Sequence, residues 1–332
     1  MSDLLWITEA EVASLIDIGD AIAALERGLT EEAQGAAANM VKTHVTWGSG
    51  KTLHAIGATF PGEGIAGTKT WAHVDGGAAP LLILFDSRDG SLEAVIEAFA
   101  LGQLRTAGIS GLATRWMSAD NASDMALLGA GKQAMAQLAA VAAVRSLERV
   151  RVFSRSRERA LKFAQSVEAE LGLHASACES VQAAVDGASL ITLATRATEP
   201  ILRASMVARG AHINAIGAAV PEQIEFEPRM LARCARVAAD SVPQVRKLSR
   251  EFVEYYRDDE RAWAAVTPLS ALIAGRMTRP AGADLTLFKA MGMGISDLAL
   301  GIEVLKRAQA SGLGRRIPNP VRTKPRLRVS KS

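Results

Sequence analysis

The chain has 332 residues, 49% hydrophobic and 22% charged, with a formal net charge of +3. That is enough for two domains with sizeable cores, in the composition range of soluble globular proteins. Part of the basic excess lies in the tail from Arg315-Arg316 to Lys331 without interleaved aromatic residues, which fits a solvated tail and argues against nucleic-acid binding.

The two cysteines, Cys178 and Cys234, are far apart and lack metal-type spacing, so neither a disulfide framework nor a metal site is expected. The start, Met1 to Trp6, has no basic region followed by a long apolar stretch, and apolar runs such as Ala134–Val144 are too short for a bilayer. A cytoplasmic protein with no membrane partner is the expectation.

Thr8-Glu9-Ala10-Glu11 reads as a capping box, followed by Val12, Leu15, Ile16, Ile22 and Leu25 at helical spacing. From Val41 to Ala58 apolar residues alternate, and Gly48-Ser49-Gly50 predicts a hairpin whose strands carry His44 and His54. Such histidines are either structural or ligands. Gly64–Trp71 reads as another strand, with Lys69 as an edge charge or as a cation aimed into a cleft. The continuous apolar run Leu81–Asp86 predicts a fully buried strand, and Asp89-Gly90 the turn after it. Arg105 then lies at the start of a buried, small-residue helical pattern ending near Met117. A planar guanidinium there suits either a bidentate grip on a carboxylate or an internal ion pair.

The stretch Met125–Ala134 gives an apolar run, then Gly129-Ala130-Gly131-Lys132-Gln133-Ala134, then an alanine-rich helix. Strand, tight glycine turn and helix in that order form a dinucleotide-binding pattern. Gly129 takes the turn, Gly131 admits the pyrophosphate, and Ala134 lets the helix sit close to the strand. Ala134, Leu138, Val141 and Arg145 mark one helix face, with the end near Ser146. After the next strand, Val150–Ser154, no acid precedes Glu158. Arginines and hydroxyls at Ser154-Arg155-Ser156-Arg157 favour the 2′-phosphate of NADPH, with NAD still possible. A short helix at Val181–Val185 and strands at Ser189–Thr195, Gly210–Gly217 and Ala235–Asp240 continue a doubly wound parallel sheet. Ligands are expected beyond the strand ends at Thr195-Arg196 and Ile216-Gly217.

Several separated segments resemble one family, ornithine cyclodeaminase/mu-crystallin, from about Gly57 to Gly314. They are Gly67-Thr68-Lys69, Arg105-Thr106-Ala107, the glycine loop Gly129–Ala134, Ala197–Leu202, Gly210–Ala218 and Leu287–Gly292. The resemblance implies an α/β fold: a Rossmann-type doubly wound parallel-sheet domain at 118–296, and an α+β substrate and dimerisation domain formed by 1–117 with 297–332. It implies a homodimer acting on a small imino or amino acid. Lys69 and Arg105 match substrate-contacting and catalytic positions, with His44 and His54 as further substrate candidates. Thr106, Gly129, Ala130, Gly131, Gln133, Ala134, Ser154, Arg155, Ser156, Arg159, Thr195, Arg196, Ile216, Lys289 and Gly292 are the implied cofactor contacts.

Two departures bear on the reaction. The cyclodeaminase pattern has an aspartate after Gly-Ala, whereas this chain reads Gly217-Ala218-Ala219; and an early substrate arginine has no clear counterpart, Lys42 or His44 lying nearest. The segment Ala262–Arg276 also differs, with Thr267-Pro268-Leu269 in place of a Gly-Glu pair. The expectation is therefore a single-step NAD(P)H-dependent reduction of an α-imino acid to the L-amino acid. Its substrate would be cyclic, such as pyrroline-2-carboxylate or piperideine-2-carboxylate, or linear, such as iminosuccinate. An NAD-dependent cyclodeaminase and a non-catalytic NADPH-binding protein are the alternatives.

Overall fold

A computed structural model describes residues 3–48 and 50–327. The first sheet contains β1 (Leu4–Ile7), β2 (Ala38–Asn39), β3 (Thr43–Trp47), β4 (Lys51–Phe60), β5 (Ile65–His73), β6 (Leu81–Asp86) and β7 (Leu92–Glu97). The second contains β8 (Asp124–Leu128), β9 (Arg149–Phe153), β10 (Ala175–Ala177), β11 (Leu190–Leu193), β12 (His212–Ala215), β13 (Cys234–Ala239), β14 (Val266–Pro268) and β15 (Leu285–Lys289). The chain then returns to the first sheet as β16 (Arg315–Ile317), antiparallel to β1.

Helices α1 (Glu9–Leu15) and α2 (Ile18–Ala33) open the chain, and α3 (Phe99–Met117) leads from the first sheet to the second. Between and after the second-sheet strands come α4 (Ala134–Ala142), α5 (Arg157–Leu171), α6 (Val181–Val185), α7 (Val242–Leu248), α8 (Arg250–Tyr256), α9 (Glu260–Trp263) and α10 (Leu269–Ala274). The last, α11 (Gly294–Ser311), packs back on α2, α3, β4 and β5. Among the described residues, no helix is long and apolar enough to cross a membrane.

The Thr8 capping box is present: the Thr8 side chain accepts from Glu11 N–H and the Glu11 carboxylate accepts from Thr8 N–H. The hairpin forms as β3 and β4, with His44 opposite His54; Ser49 of its turn lies outside the described residues. Strand β6 corrects the expectation of a fully buried strand, because its residues alternate between half-buried and buried. The cause is its antiparallel setting between β5 and β7, with one face on the helices and the other outward. Leu82 and Leu84 on the inner face join Ile22, Leu25, Phe60, Ile96, Ile295 and Leu298 in one core.

The second sheet is parallel throughout, in the order β10-β9-β8-β11-β12-β15-β13-β14. The glycine loop follows β8, where the chain has β9 on one side and β11 on the other, the switch point at which such sheets open a crevice. Helix α4 is shorter than predicted. Its buried face of Ala134, Leu138 and Val141 is as expected, but the chain leaves it at Ala143. Arg145 instead donates to the carbonyls of Arg115 and Ala119, tying the end of α4 to the end of α3.

Candidate active site

Lys69 sits mid-strand on the inner face of β5, where β4 and β6 flank it and α11 covers it. It is 4% exposed. Its ammonium donates to Oδ1 of Asp297, which is fully buried in the first turn of α11. The Trp71 ring lies on the same face of β5, with Nζ 5.3 Å from its centroid. Glycines permit this arrangement: a side chain at Gly294 would collide with the Gly57 carbonyl of β4, so the start of α11 can rest directly on the sheet.

Arg105 enters from the first turns of α3. Its Nε lies 3.1 Å from the same Asp297 Oδ1, off the hydrogen-bonding direction. Among the described residues no protein group takes its two outer nitrogens, whose edge is free to receive a carboxylate. Gly292, with φ of 83°, lies under the guanidinium; a side chain there would come within 3.0 Å of Nη1. The Gly292 turn is fixed by Asp240 at the end of β13, which accepts from the N–H groups of Met291 and Gly292 at 2.7–3.0 Å.

Three cations, Lys42, Lys69 and Arg105, thus crowd two buried carboxylates. Burial pulls the Lys69 ammonium down to about 8, with Arg105 pushing the same way and Asp297 opposing. Burial likewise lowers Lys42, helped by Arg105, and raises Asp240 against the pull of its N–H donors and Arg105. Sequence reasoning placed Lys69 and Arg105 but missed Asp297. The available signal was an acid within the otherwise apolar start of Gly294-Ile295-Ser296-Asp297-Leu298-Ala299-Leu300.

His44 and His54 form a ladder with Trp71 on the same sheet face: ring centroids are 5.4 Å apart for His44–His54 and 4.7 Å for His54–Trp71, both stacked. His54 also bonds Thr52 Oγ1 at 2.7 Å. Burial, then the charges of Lys42, His44 and His73, holds its imidazole down to about 4. It is therefore neutral at pH 7, and its ring stacks on Trp71, which in turn lies by the Lys69 ammonium.

At the glycine loop, Gly129 has φ of 117° and a side chain there would strike the Ala194 carbonyl. Gly131 faces open space, the room a pyrophosphate requires, at the N-terminal end of α4. Ala130 borders it, Gln133 precedes the helix, and Ala134 is fully buried against β8. Helix α3 is tied to this loop: Gln103 donates to the Lys132 carbonyl at 3.3 Å and Gln137 to the Thr106 carbonyl at 3.0 Å. The Thr106 hydroxyl itself bonds Gly102 within α3. Beyond β9, Ser154 is half-buried, Ser156 caps α5 by accepting from Arg159 N–H, and Arg155 and Arg159 are exposed. Arg157 is committed to Glu179. The residues present fit an adenosine dinucleotide.

The ends of β11 and β12 are organised from below. Buried Glu225 accepts from Thr195 N–H and Oγ1 and from the N–H groups of Gly217 and Ala218, all at 2.7–3.0 Å. Arg196 follows on the loop, and Ile216 is buried at the end of β12. Lys289 departs from its expected role as a cofactor contact. It is fully buried, donates to the Ala218 carbonyl at 2.6 Å and lies 3.8 Å from Glu251, so it supports the loop from beneath. The reason is desolvation: an ammonium enclosed there must stay with these partners.

A parallel sheet with a glycine-turn crevice at its switch point, joined to a second sheet that carries a buried Lys–Asp–Arg cluster, has the architecture of a dinucleotide-binding protein. The family model for the ornithine cyclodeaminase/mu-crystallin family matches residues 4–312, and the chain belongs to that family. It is similar to the ketimine reductase mu-crystallin of Rattus norvegicus, 35% identical over 218 residues that span 65% of this chain and 66% of that one. A Δ1-pyrroline-2-carboxylate reductase of Bacillus cereus is 28% identical over 239 residues, 71% of this chain and 73% of that one. Among solved structures, an archaeal alanine dehydrogenase dimer with bound NAD matches with a TM-score of 0.88 and 26% identity, over 95% of this chain and 99% of that one.

Proposed function

We propose that this protein reduces an α-imino acid to the amino acid at the expense of NADPH. The observation that carries the reading is the meeting of Lys69 and Arg105 on one buried carboxylate, Asp297, beside the crevice of the glycine loop. The relatives named as ketimine and pyrroline-2-carboxylate reductases support it.

When bound, the dinucleotide supplies a hydride to the imine carbon. Arg105 holds the substrate carboxylate on its two outer nitrogens, which fixes the imine carbon relative to the crevice. Lys69, charged below about pH 8, donates a proton at the imine nitrogen. One C=N bond is reduced, and one hydride and one proton are consumed. With alanine at 219 no second carboxylate waits there for a released amine, which favours reduction over cyclodeamination. NADPH is preferred because Arg155 and Arg159 are exposed beside the α5 cap and no acid stands before Glu158. A homodimer is the expected assembly. The exposed apolar residues Val45, Trp47 and Leu53 of the β3–β4 hairpin support it, as does the dimeric neighbour.

The test is oxidation of NADPH and NADH, followed at the nicotinamide absorbance band, against imino acids generated in place from keto acids and amines. Consumption of NADPH with formation of the amino acid is expected. Release of ammonia from ornithine or lysine without net cofactor consumption would replace this reading with cyclodeamination.

A further inference from the structure

We propose that Asp297 is a positioning residue for the reduction: by holding the Lys69 ammonium and the Arg105 guanidinium on one oxygen, it fixes the proton donor and the carboxylate grip at a set spacing. The inference rests on the imino-acid reductase reading. Its observations are geometric. Asp297 has no exposure, and both cations converge on Oδ1 while Oδ2 is buried without a hydrogen-bond partner among the described residues. A half-satisfied buried carboxylate is a poor stabilising device, since apolar residues of similar volume commonly serve as well. Its position in the first turn of α11 places the negative charge at the favourable end of the helix.

Lys69 is faced by Asp297 from α11, by Arg105 from α3 and by Lys42 from the segment before β3. Its own strand adds Trp71, and the next layer adds Asp240 beside Arg105. Burial, Arg105 and Lys42 all favour the neutral amine, and Asp297 opposes them. As proton donor, Lys69 works below its pKa and fails above it. Removing the Asp297 charge lowers that pKa, so the basic limb of the rate profile moves to lower pH.

The experiment compares kcat against pH for imino-acid reduction at saturating NADPH in the wild type, Asp297→Asn, Asp297→Glu and Lys69→Arg. Thermal melts and NADPH titration are run on each. For Asp297→Asn the basic limb is expected to fall by about one pH unit or more, which by itself lowers kcat at pH 7.5 by roughly threefold or more, with the loss of positioning adding to that. NADPH affinity should stay within about twofold, because Asp297 lies outside the glycine loop. Asp297→Glu keeps the charge and the wild-type limb, even with reduced kcat. Lys69→Arg, always protonated, loses the limb. A wild-type limb in Asp297→Asn, or an equal shift in Asp297→Glu, overturns the role. If Asp297→Asn does not fold, the other two variants decide: a displaced limb in Asp297→Glu, or a wild-type limb in Lys69→Arg, overturns it. A wild type that reduces no imino acid overturns the reductase reading itself, whereas activity with an unmoved limb overturns only the part given to Asp297.

Discussion

Truncating Arg105 to alanine isolates the carboxylate grip. The side chain is 17% exposed and, among the described residues, its outer nitrogens have no protein partner, so on the proposed reading the site offers a forked, largely desolvated cation to the substrate. Removing one member of such a pair costs about 2–5 kcal/mol. At about 1.4 kcal/mol per tenfold, kcat/KM should fall by roughly 30- to several-thousand-fold. Arg105→Lys keeps the charge but loses the fork, so a smaller loss of about 10- to 100-fold is expected. Because Lys69 remains on Asp297 in both variants, thermal stability should change much less than activity. The assay is initial-rate NADPH oxidation with an imino acid and with its carboxamide analogue. The wild type should discriminate strongly between the two, and Arg105→Ala should not. If Arg105→Ala kept kcat/KM within threefold, or kept the discrimination, the carboxylate would be held elsewhere and the reasoning refuted.

Three further outcomes are expected. Gly129→Ala should abolish cofactor binding in a fluorescence titration, because alanine at φ of 117° is strained and its methyl meets the Ala194 carbonyl. The double variant Arg155→Ala/Arg159→Ala should raise the KM for NADPH by about tenfold or more while leaving that for NADH nearly unchanged, since only the added phosphate is addressed. His212 should give stability a pH dependence. Enclosed between Thr286 and Asn214, it is held down to about 3 by burial. The unfolded chain therefore takes up a proton near pH 6.5 that the folded one refuses, and stability falls as pH drops below 6.5, by at most about 1.4 kcal/mol per pH unit from this group. Urea unfolding at pH 7.5 and 5.5 should show a smaller difference for His212→Gln than for the wild type.

Much of this site was legible because its parts are local patterns. The glycine turn announces itself through strand, φ-permissive residues and helix within ten positions, and Lys69 and Arg105 stand out as cations within apolar stretches. What was not legible depends on topology. Strand β15 lies between β12 and β13, which no local period encodes, and short β10, β14 and β16 carry too few residues to show one. The Leu81–Asp86 run looked buried on both faces because continuous apolarity does not distinguish a core strand from an antiparallel strand with an apolar outer face. Lys289 read as a ligand because sequence shows charge but not depth. Asp297 was passed over because its meaning comes from Lys69, 228 positions away in the chain.

That separation explains why the site has its form. Arg105 lies near the start of α3, and from Thr106 to Met117 α3 is fixed to α4 and to the second sheet. Gln137 of α4 holds its Thr106 carbonyl, and from the second sheet Asn214 donates to its Thr114 hydroxyl and Thr286 to its Met117 carbonyl, both at 2.8 Å. Arg105, the proposed carboxylate grip, is therefore registered to the crevice of the glycine loop by a rigid element and not by a loop. Lys69 belongs to the first sheet, and Asp297, on a helix that follows the last strands of the crevice, meets both Lys69 and Arg105. Hydride and proton must arrive at adjacent atoms of one C=N bond. On the proposed reading their sources sit on different sheets, and the α3–Asp297–β5 junction sets the distance between them.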